Sequence, residues 1–200
     1  MYEQNKFEVF PVEGGEILFM KNFLELEKAN AYYEKLNSSI QYKQEEIKYF
    51  GKIYPLPRKT AWYGDQGFNY SYSGINCNPI PWTTELLELK ENIEKYLPTE
   101  NFNTVLLNLY RDGNDKVGWH SDNEKELGIN PTIASLSLGE TRRFDLKHKN
   151  NPKLKYKFEL TPGSLIIMSG ALQNNWLHQI PIQKKVLGSR INLTFRTIKI

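Results

Sequence analysis

In the stretch Arg190-Ile-Asn-Leu-Thr-Phe-Arg196, polar and apolar residues alternate without a break. A period of two is that of a β-strand, so Arg190, Asn192, Thr194 and Arg196 share one face and Ile191, Leu193 and Phe195 the other. In most proteins a solvated edge strand would account for the polar face. Here a second segment, Asn108-Leu-Tyr110, set among Leu106, Leu107 and Leu109, carries a matching signal. Two arginines, two asparagines, a threonine and a tyrosine turned into a small barrel need an anionic guest, because a buried guanidinium is costly without one. A dicarboxylate that forms paired, charge-assisted hydrogen bonds suits them.

The segments around these two extend the same pattern. From Thr104 onward, short β-branched and apolar runs at 104–110, 132–138, 142–148, 156–160, 164–168 and 190–198 alternate with turn residues. Asp112-Gly113, Gly139, Asn150-Asn-Pro152 and Pro162-Gly163 supply the turns. Such spacing predicts an all-β sandwich or barrel. Upstream, Leu26, Ala29, Tyr33 and Leu36 recur at steps of three and four and predict a helix within 22–37. Leu86, Leu89, Ile93 and Leu97 predict a second helix, opened by Pro81 and Thr83 and closed by Pro98. The intervening 49–74 is rich in Tyr, Gly and Pro without clean periodicity, which suggests short strands and long loops with a binding role. One domain over 1–200 is expected, with helices and a recognition region in 1–103 and the β core in 104–200.

Gly118-Trp-His120-Ser-Asp122 sets a histidine and a carboxylate two residues apart, on one side of an extended segment. On its own this pairing is weak, since a histidine near an aspartate is common on surfaces. His178, in Trp176-Leu-His178-Gln, can supply a third ligand once intervening strands fold it back. Two imidazoles and one carboxylate on one face of a metal leave three positions open, the arrangement of non-haem iron(II) oxygenases. The third histidine, His148, lies between Lys147 and Lys149 and reads as a solvated strand end or a phosphate contact.

Composition narrows the setting. A chain of 200 residues with net charge +3 fits one soluble domain and neither demands nor excludes nucleic acid. A single cysteine, Cys77, excludes an internal disulfide and a cysteine-rich zinc site. The N-terminal Met1-Tyr-Glu-Gln-Asn-Lys6 lacks a signal-peptide pattern, and the longest apolar runs, such as 17–20 and 165–168, are too short to span a bilayer. An intracellular, membrane-free monomer is expected, cytoplasmic, or nuclear in a eukaryotic source.

Taken together, Asn-x-Tyr at 108–110, His-x-Asp at 120–122, His178 and Arg-x-Asn-x-Thr-x-Arg at 190–196 resemble the AlkB family of Fe(II)/2-oxoglutarate dioxygenases, from about Ile47 to the C-terminus. The resemblance implies a mainly β fold with flanking α, a double-stranded β-helix (jelly roll) core with N-terminal helices packed on it. It implies that His120, Asp122 and His178 bind Fe(II). Asn108, Tyr110, Arg190, Thr194 and Arg196 would bind 2-oxoglutarate, with Asn192 supporting the pocket. It implies oxidative demethylation of N-alkylated bases such as 1-methyladenine and 3-methylcytosine, consuming O2 and releasing formaldehyde, succinate and CO2. The implied partner is nucleic acid, DNA ahead of RNA.

Such a base must leave the duplex stack to be oxidised. Pro57-Arg58-Lys59, Tyr63-Gly-Asp65 and Tyr70-Ser-Tyr72-Ser-Gly74 resemble the nucleotide-recognition region of family members that act on duplex DNA. By that resemblance Arg58 belongs to the substrate site, and Tyr70 and Tyr72 line the base pocket. Phe50, Gly51 and Lys52 match an apolar finger, with Phe50 as the wedge. Asn123 and Glu124 stand where the family contacts the base edge, with Asn123 in place of an expected acid. Lys147, Lys149, Lys153, Lys155, Lys184 and Lys185 could form a phosphate-binding rim. Two other readings stay open. One is a same-fold oxygenase acting on a protein or small metabolite, and the other a non-catalytic nucleic-acid-binding module.

Overall fold

The computed structural model describes residues 7–49, 51–67, 70–72, 75–77 and 79–199. The first half runs through β1 (Glu8–Val12), β2 (Gly15–Met20), α1 (Leu26–Ser39), β3 (Glu46–Tyr49), β4 (Lys52–Pro55), β5 (Lys59–Gly64), β6 (Tyr70–Tyr72), β7 (Ile75–Cys77) and α2 (Thr84–Glu94). The second half holds β8 (Thr104–Tyr110), β9 (Val117–His120), β10 (Ile133–Gly139), β11 (Arg142–His148), β12 (Lys155–Leu160), β13 (Leu165–Gly170), α3 (Leu172–Asn175), β14 (Trp176–Ile180) and β15 (Arg190–Arg196).

Period-two alternation on the central strands splits the molecule into layers. Val105 and Leu107 of β8, Leu136 and Leu138 of β10, and Ile191, Leu193 and Phe195 of β15 face one way. There they meet Ala29, Tyr32 and Leu36 of α1 and Leu86, Leu89 and Ile93 of α2 in one buried cluster. Each such side chain contributes roughly 1.5–3 kcal/mol on leaving water. These strands belong to a seven-stranded sheet ordered β1-β2-β13-β10-β15-β8-β5. Its other face meets a four-stranded sheet ordered β12-β11-β14-β9. Between the sheets lies a second cluster. Ile17, Phe19, Ile133, Ile166 and Met168 come from the large sheet, and Phe144, Phe158, Leu160, Trp176 and Ile180 from the small one. Two facing antiparallel sheets with helices over one outer face are the jelly-roll arrangement that the resemblance implies.

Several boundaries differ from expectation. α1 begins at Leu26, which is 61% exposed and holds no place in the apolar stripe. Tyr32 is the more deeply buried tyrosine of the stripe, and Tyr33 is partly buried against the same cluster. The Tyr32 hydroxyl donates to Glu88 Oε2 at 2.9 Å and ties the two helices together, while the Tyr33 hydroxyl is bonded to Ser189. Thr83 caps α2, its hydroxyl accepting from the Leu86 N–H at 3.3 Å. α2 closes before Leu97 and Pro98: the N–H groups of Tyr96 and Leu97 reach carbonyls three residues back, a tightened final turn. β1 and β2 were not expected as strands; β2 pairs with β13 and carries Ile17 and Phe19 into the inter-sheet core. His148 is buried rather than solvated. Its Nδ1 accepts from the N–H groups of Asn150 and Asn151, organising the turn into β12, and its ring lies edge-on to Trp176.

β3 and β4 form a separate ribbon, with Tyr49 opposite Lys52 and Gly51 at φ +76°, a conformation that suits glycine. Every residue of β4 is exposed, Lys52 included. Phe50 lies outside the described residues, as do the side chains of Tyr70 and Tyr72, whose backbone in β6 pairs with β7.

Candidate active site

Pairing of β14 with β9 sets His178 opposite His120, and their ring centroids lie 4.2 Å apart. Asp122 follows two residues after His120 and is 2% exposed. Its Oδ1 stands 3.5 Å from His120 Nε2 and 4.0 Å from His178 Nε2. One ligand atom from each of the three residues falls within 4.8 Å of the others. The strands thus bring together, across the sheet, two imidazoles and a carboxylate that the sequence separates.

The surroundings orient these groups. His120 Nδ1 lies 2.8 Å from the Gly118 carbonyl, which can only accept. Nδ1 therefore donates to it, and Nε2 faces inward. Asp122 Oδ2 accepts from Arg196 Nη2 at 2.7 Å, and the Asp122 N–H donates to Gln173 Oε1 at 3.0 Å. Burial alone would raise the Asp122 pKa, but Arg196, His178 and His120 outweigh it and hold the group well below the usual carboxylate range. Burial, reinforced by His120, pushes His178 down to about 3 against the pull of Asp122. The triad therefore rests as one carboxylate and a neutral His178 at neutral pH, the protonation state that metal binding requires.

The set fits a divalent metal. Asp122 Oδ1 is buried and accepts no hydrogen bond among the described residues, although it faces two imidazole nitrogens. An anionic oxygen left this way is unfavourable unless a cation meets it. Two nitrogens and one oxygen converging from one side match the facial triad of iron(II).

Beside the triad, one pocket is lined by Arg58, Asn108, Tyr110, Asn192, Thr194, Arg190 and Arg196 together with His120, Asp122 and His178. Register explains the convergence: Arg190 pairs with Tyr110 and Asn192 with Asn108 across β15 and β8. Arg190 is 1% exposed and sits beside Tyr110; its Nη2 donates to Ser137 Oγ at 2.8 Å, while Nε and Nη1 are buried and make no hydrogen bond by distance and angle among the described residues. Burial lowers its pKa to about 10, which leaves it cationic. Orphaned donors on a buried cation mark a seat for an anion. Around it runs a polar web. Asn192 Nδ2 donates to Ser135 Oγ at 2.7 Å, Thr194 Oγ1 to Asn192 Oδ1 at 3.0 Å, and Arg58 Nε to Asn108 Oδ1 at 2.7 Å.

Arg58, expected at the substrate, thus lies deep in the pocket wall against Asn108. Arg196 lines the same pocket with one edge committed to Asp122. Asn123 is exposed and Glu124 half-buried beyond the triad. The sequence reading passes over Ser135, Ser137 and Gln173. Alternation in Ala134-Ser-Leu-Ser-Leu138 is the available signal for the serines. Gln173 has none, because its partner Asp122 is far away in the chain. Among the lysines of the expected rim, Lys147 sits over the Trp119 ring at 4.3 Å and Lys149 Nζ turns inward to the Gln173 carbonyl at 3.0 Å.

Comparison with known proteins meets this geometry. Residues 16–196 match the 2OG-Fe(II) oxygenase superfamily. The chain is 36% identical over 181 residues to the DNA oxidative demethylase ALKBH2 of Bos taurus, covering 86% of this chain and 65% of that one. It is 39% identical over 197 residues to the alpha-ketoglutarate-dependent dioxygenase alkB homolog 3 of Mus musculus, covering 94% and 68%. The chain is a member of the 2OG-Fe(II) oxygenase superfamily, in its AlkB branch. It spans just under two thirds of the length of the ALKBH2 relative. The solved structure of OsALKBH1 superposes with a TM-score of 0.60 at 16% identity, over 95% of this chain and all of that one, which bears on the fold alone. The His120, Asp122 and His178 triad fits the iron that this family uses. No helix among the described residues is long and apolar enough to cross a membrane.

Proposed function

We propose that this chain is an Fe(II)- and 2-oxoglutarate-dependent dioxygenase that oxidatively demethylates N-alkylated bases in nucleic acid, DNA in preference to RNA. The observation that carries the reading is the Asp122 oxygen between two imidazoles that receives no hydrogen bond among the described residues, beside a buried Arg190 with two nitrogens likewise unbonded there. Bound iron supplies oxygen activation, coupled to the oxidation of 2-oxoglutarate to succinate and CO2.

The residues do the rest. His120, Asp122 and His178 hold the metal from one side and leave the other open. Arg196 fixes which Asp122 oxygen turns to the metal. Arg190 receives the distal carboxylate of 2-oxoglutarate, with Tyr110, Asn108 and Thr194 around it. Leu106, Val117, Phe144 and Ile180 are among the apolar residues of the lining and limit water. Oxidation at the N-methyl carbon gives a hemiaminal that releases formaldehyde and leaves the parent base. A base reaches such a pocket only when extruded. The exposed β3–β4 ribbon is suited to fill the space it leaves, with Phe50 as wedge; Gly51, Lys52, Tyr70, Tyr72, Asn123 and Glu124 belong to the same proposed substrate surface. The name of the relative at 36% identity, a DNA oxidative demethylase, supports nucleic acid over a protein or a metabolite.

The test is turnover on oligonucleotides bearing 1-methyladenine or 3-methylcytosine, read by mass spectrometry of the bases and by formaldehyde release. Wild type should restore both bases in a 2-oxoglutarate-dependent way, and His120→Ala should lose turnover while its circular dichroism stays native. Full activity in His120→Ala would refute the ligand set. Decarboxylation that no oligonucleotide stimulates would favour another substrate, and damage-specific binding without decarboxylation would favour a non-catalytic module.

A further inference from the structure

Tyr110 closes β8 with two guanidinium groups close to its ring. That of Arg190 lies 5.2 Å from the ring centroid and that of Arg142 lies 5.4 Å from it. Arg190 faces the pocket. Arg142 belongs to the other sheet, at the start of β11, is 1% exposed, and is absent from the pocket lining.

The hydrogen bonds of Arg142 all lead to two loops. Nη1 donates to the Asp112 carbonyl at 2.9 Å. Nη2 donates to the Asp115 carbonyl at 2.7 Å and the Pro181 carbonyl at 2.8 Å. Nε donates to Gln183 Oε1 at 3.3 Å. The loops are also joined directly, by the Gly113 N–H to the Val186 carbonyl and the Gln183 N–H to the Gly113 carbonyl, both at 2.8 Å. They pass so close that a Cβ on Gly113 would stand 1.9 Å from the Gln183 carbonyl oxygen. One loop leaves Tyr110 and the other leads to Arg190, so Arg142 fastens together the two chain segments that carry these residues.

The charge of Arg142 is answered differently from that of Arg196, which is bonded to the Asp122 carboxylate. Asp115, the nearest acid, binds Arg111 through both oxygens, at 2.7 and 2.8 Å. Among the described residues Arg142 is hydrogen-bonded to three backbone carbonyls and the Gln183 amide oxygen, not to a carboxylate, and lies against the Tyr110 ring. Asp115 and Asp112 act on Arg142 through space, and the charge of Arg142 in turn reaches Arg190. Burial lowers the pKa of Arg142, and Arg142 in turn helps to lower that of Arg190, as two cations sharing one field would.

We propose that Arg142 is a positioning residue for 2-oxoglutarate: it holds Tyr110 and Arg190 in register and adds the positive field that the dianion needs, without touching it. The inference rests on reading the Arg190 pocket as the co-substrate site. A merely structural fastener would affect folding, metal binding and turnover together. A positioning residue should affect co-substrate binding selectively.

Isothermal titration of 2-oxoglutarate into the manganese(II)-loaded protein separates these. Arg142→Lys keeps the charge and loses the planar fork, and Arg142→Gln removes the charge. We expect Kd for 2-oxoglutarate to weaken about tenfold or more in Arg142→Gln and several-fold in Arg142→Lys, the usual scale for a residue behind a ligand shell. Manganese affinity and, in turnover, kcat at saturating 2-oxoglutarate should stay within about twofold of wild type on this argument. If Arg142→Gln does not fold, Arg142→Lys carries the same test alone. An unchanged Kd in the folded variants, or manganese and 2-oxoglutarate affinity lost in parallel, would overturn the inference and leave the pocket assignment standing. A wild-type protein that binds no 2-oxoglutarate would overturn both.

Discussion

At the scale of single residues, His178 sets the response to acid. Its folded-state pKa of about 3 lies below the roughly 6.5 of a free imidazole, so the folded state resists the proton that the unfolded chain accepts. The contribution of His178 to the stability of the metal-free protein is therefore complete above about pH 6.5 and is lost as pH falls toward 3. Asp122, also depressed, acts in the same direction below about pH 4. Each proton adds a slope of at most about 1.4 kcal/mol per pH unit. Urea denaturation of the metal-free protein should show stability declining from pH 6.5 to 4, with a shallower decline in His178→Gln. Equal slopes would mean that the imidazole is not held neutral by burial. The ligand residues could be read from the chain because their types are scarce: there are three histidines, and one of them, His148, sits between lysines. Arg142 could not, since three of its four acceptors are backbone carbonyls, which leave no mark in a sequence.

At the scale of elements, β15 does two jobs with its two faces. Leu193 is fully buried between the large sheet and the helices, while Asn192 and Thr194 on either side face the pocket. Leu193→Ala should lower unfolding free energy by about 2–5 kcal/mol, the range for a cavity in a well-packed core. Its 2-oxoglutarate affinity should change far less, because no pocket donor is removed. A comparable loss of affinity with little loss of stability would mean that the faces are assigned the wrong way round. Alternation made β15 and β8 legible because one face of each is apolar and the other polar. β2 was harder to read: in Gly15-Glu-Ile-Leu-Phe-Met20 the apolar residues run together without alternation. β14 and β9 are short, and only their pairing with each other makes the site. Helix ends were misplaced where local stop signals gave way to tertiary contacts, as at Leu97, which packs on the core from beyond α2.

At the scale of the whole molecule, the two sheets divide the work. The small sheet brings His120 and His178 together, the large sheet carries the Arg190 web, and Arg196 bonded to Asp122 joins the halves. No contiguous stretch of chain contains the site. It was foreseeable only as a set of motifs in order, and the distances that make it a site arise from strand order. The central claim is that one iron(II) ion sits among His120, Asp122 and His178 with 2-oxoglutarate extending to Arg190. Anomalous diffraction at the iron edge, from anaerobic crystals grown with iron(II) and 2-oxoglutarate, tests it most directly. The account predicts one iron peak about 2.0–2.2 Å from a nitrogen of each histidine and an oxygen of Asp122, with a carboxylate of 2-oxoglutarate on the Arg190 guanidinium. An iron peak elsewhere, or 2-oxoglutarate bound away from Arg190, would contradict it.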